Sequence, residues 1–281
     1  MRNKIGLLVS VFILFALGTV WAAPALEDGR DEAPLRITNS VSAVMRHHTR
    51  LVPPTASTEK RAIAAKIDIC FPELSCQTGE NVAIAAINRI IQNRLLTVMA
   101  SQTPATVEQL MEVFSKAYER SLKETPKLPG AWFLRFETTI CHADDELFCL
   151  RILQSVFTGG AHPMSNIAYL VFSMKTGDLL PLSALVAEEK MGELTQIAEK
   201  YFRRVRNLQP EETYDRAGFR FEKNCFSLNR NFLISKAGLA FCFNQCEIAP
   251  YAKGITELVI PWRDLATIVD ASGSAGRFLK K

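Results

Sequence analysis

Between residues 80 and 100, apolar side chains recur every three or four positions, at Val82, Ile84, Ala85, Ile87, Ile91, Leu95, Leu96 and Met99. This is the spacing of one helical face, and such a stripe needs an apolar surface to cover it. The flanking sequence supplies strands to provide that surface. Val41 to Val52 and Ala62 to Cys70 read as two strands joined by a turn at Pro53-Pro54-Thr55-Ala56-Ser57-Thr58. After Thr103-Pro104-Ala105-Thr106 a second helix runs through Val107, Leu110, Met111, Phe114 and Tyr118 to Lys123, with Pro126 and Pro129 ending it. Trp132 to Ile140 and Leu147 to Phe157 are aromatic and β-branched, which predicts a long antiparallel hairpin.

The remaining elements continue in the same manner. A strand is expected from Ile167 to Met174, then a turn at Lys175-Thr176-Gly177-Asp178 whose glycine supplies a positive φ, then a short return strand from Leu179 to Leu182. Helical structure follows from Ser183, with a face of Leu194, Ile197, Ala198, Tyr201, Phe202 and Val205. Asn231 to Ser235, Gly238 to Asn244 and Leu258 to Ile260 read as the last strands, and Pro261 to Leu265 as a helical turn. Strands in runs with helices grouped between them give an α+β class, with antiparallel sheets, packed helices and two subdomains. The expected divisions are a signal peptide at 1–22, a mobile leader at 23–40, subdomains at 41–157 and 158–270, and a frayed tail at 271–281.

The compartment is read from the first residues. Arg2 and Lys4 precede an apolar stretch from Ile5 to Leu17, and Val20-Trp21-Ala22 supplies small residues for cleavage after Ala22, which points to export to the periplasm or its equivalent. The competing reading is a retained anchor, although the apolar run falls short of the roughly 20 residues that span a bilayer. No later stretch is long and apolar enough to span. The formal net charge of +4 falls to an excess of about two without Arg2 and Lys4, too weak and dispersed for nucleic acid.

In an exported chain, cysteines read first as disulfides. Cys141 and Cys149 flank the polar turn His142-Ala143-Asp144-Asp145-Glu146 and are expected to bridge across the hairpin. Cys70 and Cys76 bracket Phe71-Pro72-Glu73-Leu74-Ser75, read as a loop that a bridge closes. Folding about Lys236 and Ala237 pairs Cys225 with Cys246 and leaves Cys242 a buried thiol; a small register change would pair Cys225 with Cys242 instead. No metal site is expected. His47 and His48 are adjacent on a strand and point to opposite faces.

Candidate ligand-binding residues are Gly159, Gly160, His162, Glu247 and Tyr251. Paired glycines before a histidine expose backbone N–H groups that hold an anion or carbohydrate, or they simply let the chain turn. Glu247 and Tyr251 offer hydrogen bonds to a ligand, or anchor their own loop. No catalytic constellation is read, because no Gly-x-Ser-x-Gly elbow is present and Asp144-Asp145 falls in a turn where Asp serves the backbone. No cofactor is implied. Arg203, Arg204 and Arg206 form a basic helix end that suits the helix dipole.

Three blocks carry a family likeness: Phe157 to Pro163, Lys175 to Leu185, and Asn231 through Glu247-Ile248-Ala249-Pro250-Tyr251-Ala252-Lys253-Gly254 to Trp262. On these the chain resembles an exported α+β domain shared by the ectodomain of the lysozyme-responsive anti-sigma factor and the non-catalytic region ahead of a peptidoglycan deacetylase. The C-terminal resemblance covers Gly159 to Leu265, and Val41 to Phe157 is similar to the domain that usually precedes it. The metal-binding motifs of the deacetylase are absent, and the segment that binds a sigma factor is not matched. The resemblance therefore implies a binding or sensory module for a cell-envelope polymer or an envelope-directed protein such as lysozyme. A peptidoglycan hydrolase and a purely structural envelope protein are the alternatives.

Overall fold

A computed structural model describes residues 33–54, 63–99, 104–124 and 131–280. The expected signal peptide, the turn at Thr55 to Thr58 and the helix-ending Pro126 and Pro129 lie outside the described residues. A six-stranded sheet is formed by β1 (Leu35–Arg36), β2 (Val41–Val52), β3 (Ala65–Cys76), β4 (Phe133–Ala143), β5 (Leu147–Phe157) and β6 (Met164–Ser173), in that spatial order. Two helices, α1 (Val82–Leu96) and α2 (Val107–Glu124), lie between β3 and β4 in sequence. That long connection makes β3 and β4 parallel, from Lys66 opposite Phe133 to Cys70 opposite Glu137, because a crossover through helices returns the chain in the same direction. All other neighbours in the sheet are antiparallel. The fold is α+β, with one parallel pairing that the hairpin pattern does not foretell.

The helical stripe does what its spacing requires. Ile84, Ile87, Ile91 and Leu95 of α1 and Leu110, Phe114, Tyr118 and Leu122 of α2 are buried against Ile67, Ile69, Leu134 and Phe136. Asn81 sets the start of α1 by accepting a hydrogen bond from Ile84 N at 3.1 Å, so the helix begins two residues later than expected. At α2, Thr106 accepts from Gln109 N while the Gln109 side chain accepts from Ala105 N, a reciprocal cap.

A second sheet of β7 (Phe232–Ile234), β8 (Leu239–Phe243) and β9 (Thr256–Ile260) is antiparallel and carries α3 (Met191–Val205). Phe202 of α3 lies at the centre of an aromatic cluster with Tyr214, Phe219, Phe226 and Phe243. Strands β5 and β6 serve both cores. Phe148, Leu150, Ile152, Leu170 and Phe172 face the helices, whereas Leu147, Cys149 and Val171 face the second sheet. The division expected after Phe157 therefore falls inside a hairpin that feeds both halves.

Strand β6 is the last in its sheet, and its outer backbone groups would be left unpaired. Two asparagines from the second sheet substitute for a strand. Ile167 N donates to Asn244 Oδ1 at 2.6 Å and Tyr169 N to Asn231 Oδ1 at 2.8 Å, while Ile167 O accepts from both side-chain amides. Further along, Leu180 N donates to Val171 O and Ser173 N to Asp178 O. The return strand expected from Leu179 to Leu182 is reduced to a single bridge of Leu179 with Phe172, and Leu182–Ala184 is a 3-10 turn. Gly177 has φ 78°, and a Cβ there would sit 2.4 Å from Ala83 O, so this turn can lie on α1 only with glycine.

Four expectations are corrected. The leader is not wholly without structure, since Leu35 and Arg36 pair with Ala43 and Ser42. The supposed loop from Phe71 to Ser75 is strand, with Pro72 opposite Met45. Pro72 fits because pairing with β4 stops at Cys70, so its missing N–H faces a vacated edge; Asn88 then satisfies Leu74 N and O on that edge. Consequently Cys70 and Cys76 stand about 20 Å apart along one strand, beyond the reach of a disulfide. The Cys141–Cys149 and Cys225–Cys246 bridges are not formed either, each of these four side chains being a thiol. Finally, the tail is docked. Residues Gly276–Lys280 form a 3-10 turn in which Phe278 stacks on Trp262 and meets the edge of His142, while Arg277 pairs with Asp144 and Glu146 at the β4–β5 turn.

Candidate functional site

The glycine loop lies where β5 turns into β6. Gly159 and Gly160 have φ of 89° and 108°, values that residues with a side chain adopt at a cost. A Cβ at Gly160 would meet open space, so conformation rather than close approach requires glycine there. The loop then carries His162 over Tyr251, with ring centroids 3.6 Å apart and planes 19° from parallel. Tyr251 Oη donates to Pro163 O at 3.0 Å, which fixes the loop from the other side of the proline. Tyr251 itself opens a 3-10 turn, Tyr251–Lys253, that Gly254 ends with φ 68°. Residues 88 positions apart in sequence are thus joined by a hydrogen bond, with a ring stack from the preceding residue beside it.

His162 and Gly160 are exposed, and so is neighbouring Met164, at 78%. The patch combines a flat aromatic pair with a polarisable apolar side chain. Glu247 has a different role. One of its oxygens accepts from Asn229 Nδ2 and the other from Asn244 N, both at 2.7 Å, so the carboxylate holds the turn that carries Asn244. Ile248 and Ala249 are buried beneath it. The structure therefore brings His162 and Tyr251 together and spends Glu247 on the loop.

The other sequence features also find places. His48 stacks on Phe71 and lies 3.9 Å from Glu108, whereas His47 lies 3.8 Å from Cys70 Sγ, so the two rings diverge. Among the described residues no group of His, Cys, Asp and Glu is placed to hold a metal. Asp144 accepts from Glu146 N and Leu147 N and contacts His142 at 2.6 Å. Burial opposes its ionisation, but these amides and His142 outweigh it and hold the carboxyl below its ordinary pKa. Arg203 and Arg206 are occupied by backbone carbonyls at Gln209, Glu212 and Lys253.

One half-buried network escaped the sequence reading. Arg151 on β5 holds Glu257 on β9 with two hydrogen bonds of 3.0 and 3.2 Å, and Tyr169 on β6 donates to the same carboxylate at 2.5 Å. Burial works against the Glu257 charge, yet Arg151 and Tyr169 keep its pKa below the usual range. Burial, added to the neighbouring carboxylate, pushes the Tyr169 phenol up. This trio pins the second sheet to the first. A charged residue inside each of two apolar strands, Arg151 and Glu257, is the sequence signal that would have found it.

Residues 183–263 match the model of a family described as a protein of unknown function (DUF3298). The match takes in the Asn231 to Trp262 block and most of α3's surroundings; the glycine loop lies before it. Two solved structures are similar. A member of the DUF3298 family from Bacteroides fragilis superposes with a TM-score of 0.69 at 18% identity, covering 88% of this chain and 100% of that one. A DUF3298 family protein from Pseudomonas aeruginosa gives 0.58 at 16% identity, covering 81% and 94%. The fold is thus shared over most of the chain. No curated protein matches it. Among the described residues no helix is long and apolar enough to cross a membrane.

Proposed function

We propose that this protein is a non-catalytic binding or sensory module outside the cytoplasm, recognising a cell-envelope ligand at the surface built by the glycine loop and Tyr251. The observation that supports this reading is the stack of exposed His162 on half-buried Tyr251, close in sequence to exposed Met164 and two conformationally permissive glycines. Rigid aromatic anchors amid adaptable backbone are the elements from which recognition surfaces are made. The ligand is a peptidoglycan-related polymer or a lysozyme-like protein. That choice draws on the signal-like N-terminus and on the resemblance of residues 159–265 to the ectodomain of the lysozyme-responsive anti-sigma factor.

The test is a pair of assays on one preparation. Co-sedimentation with insoluble peptidoglycan and titration with lysozyme are expected to give saturable binding to one of the two, with no soluble fragments released from the polymer. Catalytic release of fragments would replace this reading with a hydrolase. Binding to neither would withdraw it.

A further inference from the structure

A concave region lies on the helical side of the six-stranded sheet, within the portion of the chain that the family model does not match. It is a half-open cleft of about 450 Å³ between the last turn of α1 and the first turn of α2, floored by β2 and β3, within the range of roughly 300 to 1,000 Å³ typical of small-molecule sites. Its polar groups are of both kinds. Arg46 Nε donates to Glu73 Oε2 at 2.6 Å on the floor, Gln92 stands exposed on the α1 wall, and Glu108 stands on the α2 wall within 3.9 Å of His48. The apolar parts are the side chains of Leu96 and Val107 and the half-buried His48 ring, which lies within 3° of parallel to a Phe71 ring that is itself buried.

The charge balance limits the ligand. Arg46 is answered by Glu73, and Glu108 adds a second carboxylate, so the cleft has no excess of positive charge to hold a phosphate or another anion. Paired donors and acceptors around a flat apolar surface suit a molecule whose edge is all hydroxyls and whose face is C–H. Each hydroxyl both donates and accepts, which matches an Arg–Glu pair and an amide, and the C–H face matches Leu96, Val107 and the His48 ring.

We propose that this cleft binds an uncharged saccharide, independently of the His162–Tyr251 surface. The probe is a trimer of N-acetylglucosamine, titrated into the full mature chain by calorimetry and by ligand-observed NMR, with inorganic sulfate as the competing class. Saturable binding of the trimer is expected, weakened about tenfold in Glu73→Gln or Gln92→Ala, the loss that follows from one hydrogen bond to a charged or polar group. Both side chains are partly or wholly exposed, so melting should not change, and His162→Ala should bind the trimer as the wild type does. No saturable binding of the trimer, binding of sulfate in its place, or wild-type affinity in both cleft variants would each overturn the proposal. Because His162→Ala leaves this cleft intact, a failure here is separable from a failure of the loop surface.

Discussion

Replacing Asn231 with alanine removes one of the two side chains that stand in for a strand at the edge of β6. Three hydrogen bonds are lost: Tyr169 N to Asn231 Oδ1 at 2.8 Å, and Asn231 Nδ2 to Ile167 O at 2.9 Å and to Cys242 O at 3.0 Å. The acceptors are not orphaned, because Ile167 O keeps Asn244 Nδ2 and Cys242 O keeps Asn229 Nδ2. Tyr169 N–H loses its partner at the junction of the two sheets. With about 1 kcal/mol for a typical intramolecular hydrogen bond and about 1 to 3 kcal/mol for an unsatisfied buried donor, a loss of about 3 kcal/mol is expected. Asn244→Ala orphans Ile167 N in the same way. In the double variant Ile167 O loses both donors, so the combined loss should exceed the sum of the single losses by about 1 kcal/mol. Urea unfolding of the wild type, both single variants and the double variant measures each term. Single losses below 1 kcal/mol, or strict additivity, would refute the claim that side-chain amides close this edge.

Undocking the tail by a single substitution is the second test. Phe278→Ala should cost about 3 kcal/mol in thermal or urea unfolding, as for other buried phenylalanines, and a frayed tail would show no change. The acid response follows from Asp144: its folded pKa is depressed, so its contribution is complete above the ordinary Asp value of about 3.9 and is lost as pH falls through the lower folded value. The stability gap between wild type and Asp144→Asn should therefore be constant near neutrality and shrink in acid below about pH 4; a gap that widens in acid would contradict this. Alkylation of the native protein followed by mass spectrometry should label exposed Cys225 and Cys246 quickly and buried Cys149 and Cys242 only on unfolding. Burial also raises the Cys141 thiol to about 11, so it too should react slowly at neutral pH. Native labelling of Cys242 as fast as that of Cys225 would refute the packing described for β8.

Local pattern made the helices and the long hairpin legible. The Ile84, Ile87, Ile91, Leu95 stripe and the alternation of Leu134 and Phe136 with Arg135 and Glu137 each declare their own element. What sequence could not declare was decided by distant neighbours. Pro72 argues for a loop until β4 is seen to stop short of it, and the parallel β3–β4 pairing depends on how two helices cross the sheet. The asparagines at 231 and 244 read only as the ends of two expected strands, since their work is on a strand more than 60 positions away. The tail looked free because its partners, Asp144, Glu146 and His142, are over 130 residues earlier. Of the candidate site, His162 and Tyr251 were found through glycine and proline context and do meet, whereas Glu247 is absorbed by its own turn.

The loop surface stands or falls on a calorimetric titration of His162→Ala against whichever envelope ligand, peptidoglycan fragment or lysozyme, the wild type binds. Loss of an exposed aromatic anchor should weaken binding about tenfold or more, with melting unchanged and no product formed by either protein. Identical affinities for variant and wild type would place recognition elsewhere on the molecule and contradict the assignment of this surface.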